Sequence, residues 1–219
     1  MNRRIFFHSS LSLLLLPTLA KAENLLPSNP SVGNDNTLGG TLKPYMQIGN
    51  FTDDKHRVFM FISFDCHYCK STWKGMGDWG KTLPEPFKFV FVPLSKGNKQ
   101  LDLASHAFYV VRDLAPNHIE NFLEIAFAKA TVIRSFKEWI TILGRLGLSE
   151  QAIIDSLNKP ITEQRIERGR RLAGRYRLTA TPHFGIAGKY ATNADYINGD
   201  YRVLVKLLNV LVSESMQNG

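Results

Sequence analysis

Cys66 and Cys69 are the only two cysteines in 219 residues, and they stand three apart in Cys66-His67-Tyr68-Cys69. A thiol pair at this spacing can close and open a disulfide within one helical turn. An apolar run, Val58, Phe59, Met60, Phe61 and Ile62, precedes the pair, and a helical pattern follows it. The first sulfur then falls at a helix N-terminus, where free N–H groups and the helix dipole favour a thiolate. A purely structural bridge gains little here, because so short a loop barely constrains the unfolded chain. A chain of this length buries a full core without staples.

The first residues read as an address. Arg3 and Arg4 give a basic start, an apolar stretch runs over 11–16, and Ala20-Lys21-Ala22 has the small-x-small pattern of a cleavage site. The stretch is too short to span a bilayer. Residues 1–22 are therefore expected to be a signal peptide, and the compartment to be oxidising, most simply a bacterial periplasm. The formal charge is +8, and cleavage would lower it. Much of the rest clusters in Arg165, Arg168, Arg170, Arg171, Arg175 and Arg177. Glu163 and Glu167 interleave with them and no aromatic residue punctuates the run, so it reads as a solvated helix face in preference to a nucleic-acid or anionic-membrane patch.

The elements that must position the thiols follow from periodicity. Residues 23–44 are rich in Asn, Ser, Pro and Gly and read as a flexible leader. An edge strand is expected over 45–48 and a strand buried on both faces over 58–64. A helix over 66–81 is weakened by Gly75, Gly77 and Gly80. Phe87, Phe89 and Phe91 lie on one face of a second strand, as core. From 101 to 157 the pattern is helical throughout, with starts at Asn117, at the capping box Ser135/Glu138 and at Ser149. Pro160 ends this block, and Thr162 is expected to cap the next helix, to about 175. Phe184 to Ala187, Gly188 and Lys189-Tyr190 read as a hairpin. An apolar helix over 201–212 closes the chain. Strands alternating with helices give an α/β fold with a mixed sheet.

This order, with the cysteine pair on the first strand–helix turn and a proline before the hairpin, resembles the thioredoxin fold. The inserted helical block narrows the resemblance to the DsbA-like thiol–disulfide oxidoreductases. It is carried by Phe61-Ile62-Ser63-Phe64-Asp65-Cys66-His67-Tyr68-Cys69 and by Thr181-Pro182-His183-Phe184-Gly185-Ile186-Ala187-Gly188-Lys189-Tyr190. It implies a thioredoxin-fold domain over 45–96 and 161–219, interrupted by an all-helical subdomain over 97–160.

The resemblance also implies roles. Cys66 would be the exposed nucleophile and Cys69 the buried resolving thiol. Pro182 would be a cis-proline facing them, with Thr181 and Pro182 in the substrate-binding loop; His183, next in that loop, is a candidate for it, although a lone histidine reads more simply as a structural or surface residue. His67, Tyr68 and Asp65 would modulate the site. Asp65 would oppose a thiolate on Cys66, and His67 would favour it by its charge and by its backbone N–H. Tyr68 and Thr181 resemble the isomerase relatives DsbC and DsbG more than the oxidase. Met60 stands where thioredoxin-like proteins often carry a buried acid.

The expected activity is disulfide formation or exchange in exported, cysteine-containing proteins, with no cofactor and no metal. A DsbB-like membrane oxidase or a DsbD-like reductase would reset the pair. A monomer is expected, because the leader is too short and polar to form the dimerisation domain of the isomerases. Two rival readings use the same residues: a soft-metal protein holding Cu(I) through Cys66, Cys69 and a histidine, and a peptide-holding chaperone.

Overall fold

The computed structural model describes residues 37, 38 and 41–217. The expected signal peptide and most of the leader lie outside the described residues. The end of that leader is not all loop, since Thr37–Leu38 (β1) and Thr41–Leu42 (β2) pair as an antiparallel ribbon. The expected edge strand is the two-residue β3 (Met46–Gln47).

The apolar run forms β4 (Arg57–Ile62), and the thiols begin α1 (His67–Gly80). The second strand is β5 (Lys88–Pro93). Four helices follow: α2 (Lys99–Leu114), α3 (Ile119–Lys129), α4 (Phe136–Gly144) and α5 (Glu150–Leu157). Then come α6 (Pro160–Arg175), the hairpin β6 (His183–Ile186) and β7 (Tyr190–Asn193), and α7 (Tyr201–Gln217). Among the described residues, no helix is long and apolar enough to cross a membrane.

The larger sheet runs β3-β7-β6-β4-β5. It is mixed: β4 is parallel to β5 and antiparallel to β6, with Met60 opposite both Phe91 and Phe184. Strand alternation divides its side chains between two cores. Val58, Met60 and Ile62 pack with Trp73 and Met76 of α1, with Leu204 and Leu208 of α7, and with the layer built by α2 to α5. Phe59 and Phe61 point the other way, into a smaller core with Val92, Leu94, Leu172 and Tyr176 under α6.

Close approach explains two glycines. A Cβ on Gly80 would lie 2.5 Å from the Phe89 ring, so this residue lets α1 settle on β5. A Cβ on Gly185 would strike the ring of Tyr176, which lies across β6. The helix-weakening glycine at 80 is therefore a packing requirement.

The capping box at Ser135 and Glu138 forms with both of its bonds, and Ser149 caps α5. Two other expected starts are corrected. Asn117 lies inside a 3-10 turn, Pro116–His118, and α3 begins after His118 without a side-chain cap. Thr162 is not the cap of α6: Pro160 opens that helix, and the buried Thr162 hydroxyl donates to the Ser156 carbonyl at 2.9 Å. Proline suits the first helical turn because its missing N–H would be unpaired there anyway.

Candidate active site

Cys66 occupies the N-cap position of α1 with extended backbone, φ −83° and ψ 114°. A tight turn delivers it: the Cys66 N–H donates to the Ser63 carbonyl at 3.0 Å, and the Ser63 hydroxyl donates to the Asp65 carboxylate. The Cys66 sulfur takes the part usually played by a Ser or Asp oxygen, accepting the Cys69 N–H at 3.2 Å. From the opposite side, the Cys66 thiol donates to the carbonyl of Thr181 at 3.1 Å. The Thr181–Pro182 peptide is cis.

The two thiols are free and unlike. Cys66 is half-buried, whereas Cys69 is fully enclosed among Met60, Trp73 and their neighbours. The Cys66 thiol is pushed down to about 6, first by the hydrogen bond from the Cys69 side chain. A side-chain bond from Thr181 and the backbone N–H groups of Cys69 and Tyr68 add to this, against the opposing effect of burial. Cys69 is pushed up by the same bond to Cys66 and then by burial. One sulfur is thus a thiolate near neutrality and the other a thiol, which is the asymmetry that nucleophilic attack followed by resolution requires.

The expected modulators play different parts. Asp65 and His67 are both exposed. The largest influences on the Cys66 thiol come from elsewhere, and the backbone donors among them are Cys69 and Tyr68. The His67 and Tyr68 rings meet edge to face with centroids 5.9 Å apart, and Tyr68 is 62% exposed.

His183 corrects the expected substrate loop. It is fully buried, Nε2 lies 2.9 Å from the Tyr176 carbonyl, and the ring packs on Phe61. Phe61 and His183 are opposite residues of β4 and β6. Both side chains therefore point to the α6 face, away from Cys69. Burial pushes the imidazole down to about 4, so it stands neutral beneath the loop as a support.

A groove of about 570 Å³ opens beside the thiols. Tyr68, Thr181 and Pro182 form one wall; Asn193 at the end of β7, with Asp195 and Asn198 from the loop between β7 and α7, form the other. Asn198 and Gly199 hold left-handed backbone, φ 51° and 77°, which turns the loop over. Sequence reasoning missed this wall, although Asn198-Gly199 is a turn signal. It also missed Tyr201 at the start of α7, which lines the same groove. The Tyr201 hydroxyl is enclosed without a hydrogen-bond partner in bonding geometry, with Thr72 and both thiols as neighbours, and burial raises its pKa. For the soft-metal reading, the described residues offer no group of three or more His, Cys, Asp or Glu that could hold an ion.

No protein-family model matches the chain. Among curated proteins, the thiol:disulfide interchange protein DsbA of Bordetella parapertussis is 23% identical over 168 residues, covering 75% of this chain and 78% of that protein. The DsbA of Bordetella bronchiseptica matches equally. Among solved structures, Xylella fastidiosa DsbA superposes with a TM-score of 0.66 at 19% identity, over 80% of this chain and 96% of that one. Proteus mirabilis DsbA, solved with a non-covalently bound peptide PWATCDS, gives a TM-score of 0.66 at 17% identity, over 78% and 96%. In sequence and in fold the chain is DsbA-like.

Proposed function

We propose that this chain is an exported thiol–disulfide oxidoreductase that introduces disulfides into other exported proteins. The observation that carries the reading is the Cys66 sulfur held between the Cys69 N–H and the Thr181 carbonyl, at 3.2 and 3.1 Å. One sulfur is presented to solvent and stabilised as an anion, and its partner is buried one helical turn away.

In the oxidised protein a substrate thiolate attacks the Cys66 sulfur. The S–S bond to Cys69 breaks, and Cys69 leaves as a thiolate that takes up a proton. A second substrate thiolate then attacks the substrate sulfur of the mixed disulfide and expels Cys66 as a thiolate. The substrate loses two electrons and two protons, and the Cys66–Cys69 pair gains two electrons. Cys66 is a good leaving group because its anion is already stabilised. A low Cys66 pKa also stabilises the reduced protein and so makes its disulfide oxidising. That favours the oxidase direction over the isomerase direction to which Tyr68 and Thr181 point.

The groove along Thr181 and Pro182 supports substrate binding. An extended segment can pair with the Thr181 backbone and place its sulfur beside Cys66. The cysteine-containing peptide in the Proteus mirabilis relative fits this reading. A periplasmic location agrees with the N-terminal sequence and with the DsbA-like comparisons, and a DsbB-like membrane oxidase would return the pair to the disulfide. The reading needs no cofactor and no second copy of the chain.

The test is a pair of substitutions. Cys66→Ser should abolish oxidation of a dithiol peptide. Cys69→Ser should accumulate mixed disulfides with exported proteins, visible as adducts that reductant removes. Peptide oxidation retained by Cys66→Ser would refute the reading.

A further inference from the structure

A second cavity, of about 390 Å³, lies on the sheet face opposite Cys69, under α6. Its floor is apolar, made by Phe59, Val90 and Val92. Its rim carries five guanidinium groups, from Arg57, Arg112, Arg165, Arg168 and Arg171. Three of these have carboxylate partners: Arg165 pairs with Asp113, Arg168 reaches Asp54 at 3.6 Å, and Arg171 reaches Glu167 at 3.5 Å. Among the described residues Arg57 and Arg112 have none.

Arg112 is the informative member. It is half-buried, and its guanidinium lies over the ring of Tyr109, 5.3 Å from the centroid. Burial holds its pKa down, and the like charges of Arg165 and Arg168 push the same way, while Tyr109 and Asp113 oppose them. Gathering cations around a partly enclosed apolar floor is unfavourable unless an anion completes the arrangement. Guanidinium groups suit the planar, multiple hydrogen bonding that phosphate and carboxylate accept. The volume is within the usual range for a small-molecule site.

We propose that this cleft binds a small amphipathic anion: a phosphate, sulfate or carboxylate head between Arg57 and Arg112, with an apolar chain along Phe59, Val90 and Val92. The head takes the charge that the existing carboxylates leave unmatched. The chain covers apolar surface that the rim would otherwise leave wet. The site does not include the thiols, so it stands or falls independently of the redox reading.

Octyl phosphate is the probe, titrated calorimetrically into the full-length oxidised protein. One saturable site is expected, with inorganic phosphate binding at least tenfold more weakly. The double variant R57Q/R112Q should lose at least tenfold in affinity while its peptide oxidation stays unchanged. Arg57→Gln alone, at an exposed position, should lose about threefold and guards against a folding defect in the double variant. In the unaltered protein, amide NMR shifts should move at Val92 and Gly169 and stay still at Thr181. Sedimentation with phosphatidylglycerol vesicles, if lost in R57Q/R112Q, assigns the head to a lipid. Octyl phosphate binding without sedimentation assigns it to a dissolved amphiphile; either outcome upholds the cleft. Absence of saturable binding, affinity unchanged in the folded double variant, or shifts centred on Thr181 would overturn it. Equal affinity for inorganic phosphate would overturn the apolar half.

Discussion

The Cys66 sulfur lies 3.1 Å from the Thr181 carbonyl oxygen, although 115 residues separate them in the chain. Two remote loops meet at one sulfur, and the fold of the sheet brings them there. β4 ends just before Cys66, and β6, its antiparallel neighbour, begins just after Pro182.

The donors gathered on the Cys66 sulfur give a pH dependence with a definite sign. Cys66 is an acid held down to about 6 in the folded reduced protein. Alkylation of Cys66 by iodoacetamide should therefore rise with pH and reach half its maximum near pH 6, while Cys69 stays unreactive. The stabilisation that goes with the thiolate is absent below about pH 6. It grows as pH rises toward the ordinary thiol value near 9 and is complete above it. Urea denaturation from pH 6 to pH 9 should show the reduced protein gaining stability over this window, and the oxidised protein should lack that gain.

Thr181→Val should weaken the anion without removing the loop. The substitution keeps the backbone carbonyl and deletes the side-chain hydrogen bond to Cys66. The alkylation midpoint should move upward, and the disulfide should become a weaker oxidant in a glutathione redox titration. An unmoved midpoint would mean that the Thr181 side chain does not stabilise the sulfur.

Asp54 is a structural carboxylate, remote in role from the thiols. It is fully buried, with Arg175 at 2.6 Å and the Tyr176 hydroxyl at 3.4 Å. Asp54→Asn leaves these partners facing a neutral amide. The expected loss is roughly 3 kcal/mol, near the low end for breaking a buried ion pair because Arg175 is partly exposed. Urea denaturation measures it, and the exchange rate of the folded fraction should be unchanged.

Gly185→Ala should be destabilising out of proportion to one methyl group. The new Cβ enters the Tyr176 ring, so the ring or the strand must move. A cost of about 1–3 kcal/mol is expected, the range for overpacking a filled core. A denaturation midpoint equal to that of the unaltered protein would show that the Tyr176 ring does not lie across β6 at Gly185.

The order of elements was legible because each rests on local periodicity. The run 58–62 alternates between two apolar cores, so it reads as continuously apolar, and the Ser135/Glu138 box was legible because both of its partners are local. What escaped depends on partners far away in sequence. Thr162 looks like a cap, yet a buried carbonyl at Ser156 claims its hydroxyl. His183 follows the proline, so its place in the chain left both a substrate-facing and a structural role open. Only its pairing opposite Phe61 shows that it faces the other side of the sheet. The Cys66 anion was expected to reflect the adjacent charges of Asp65 and His67. Hydrogen bonds from Cys69, Thr181 and the helix start set it instead.

The aromatic rings that join the helical layer to the thiol helix have a mechanical consequence. Trp73 of α1 stacks on Phe127 of α3 with centroids 6.3 Å apart, and Phe64 meets both Phe122 and Phe127. Swinging the layer away like a lid would expose Phe64, Trp73 and Phe127 together, at a cost on the order of 10 kcal/mol. The seam is therefore welded, not hinged.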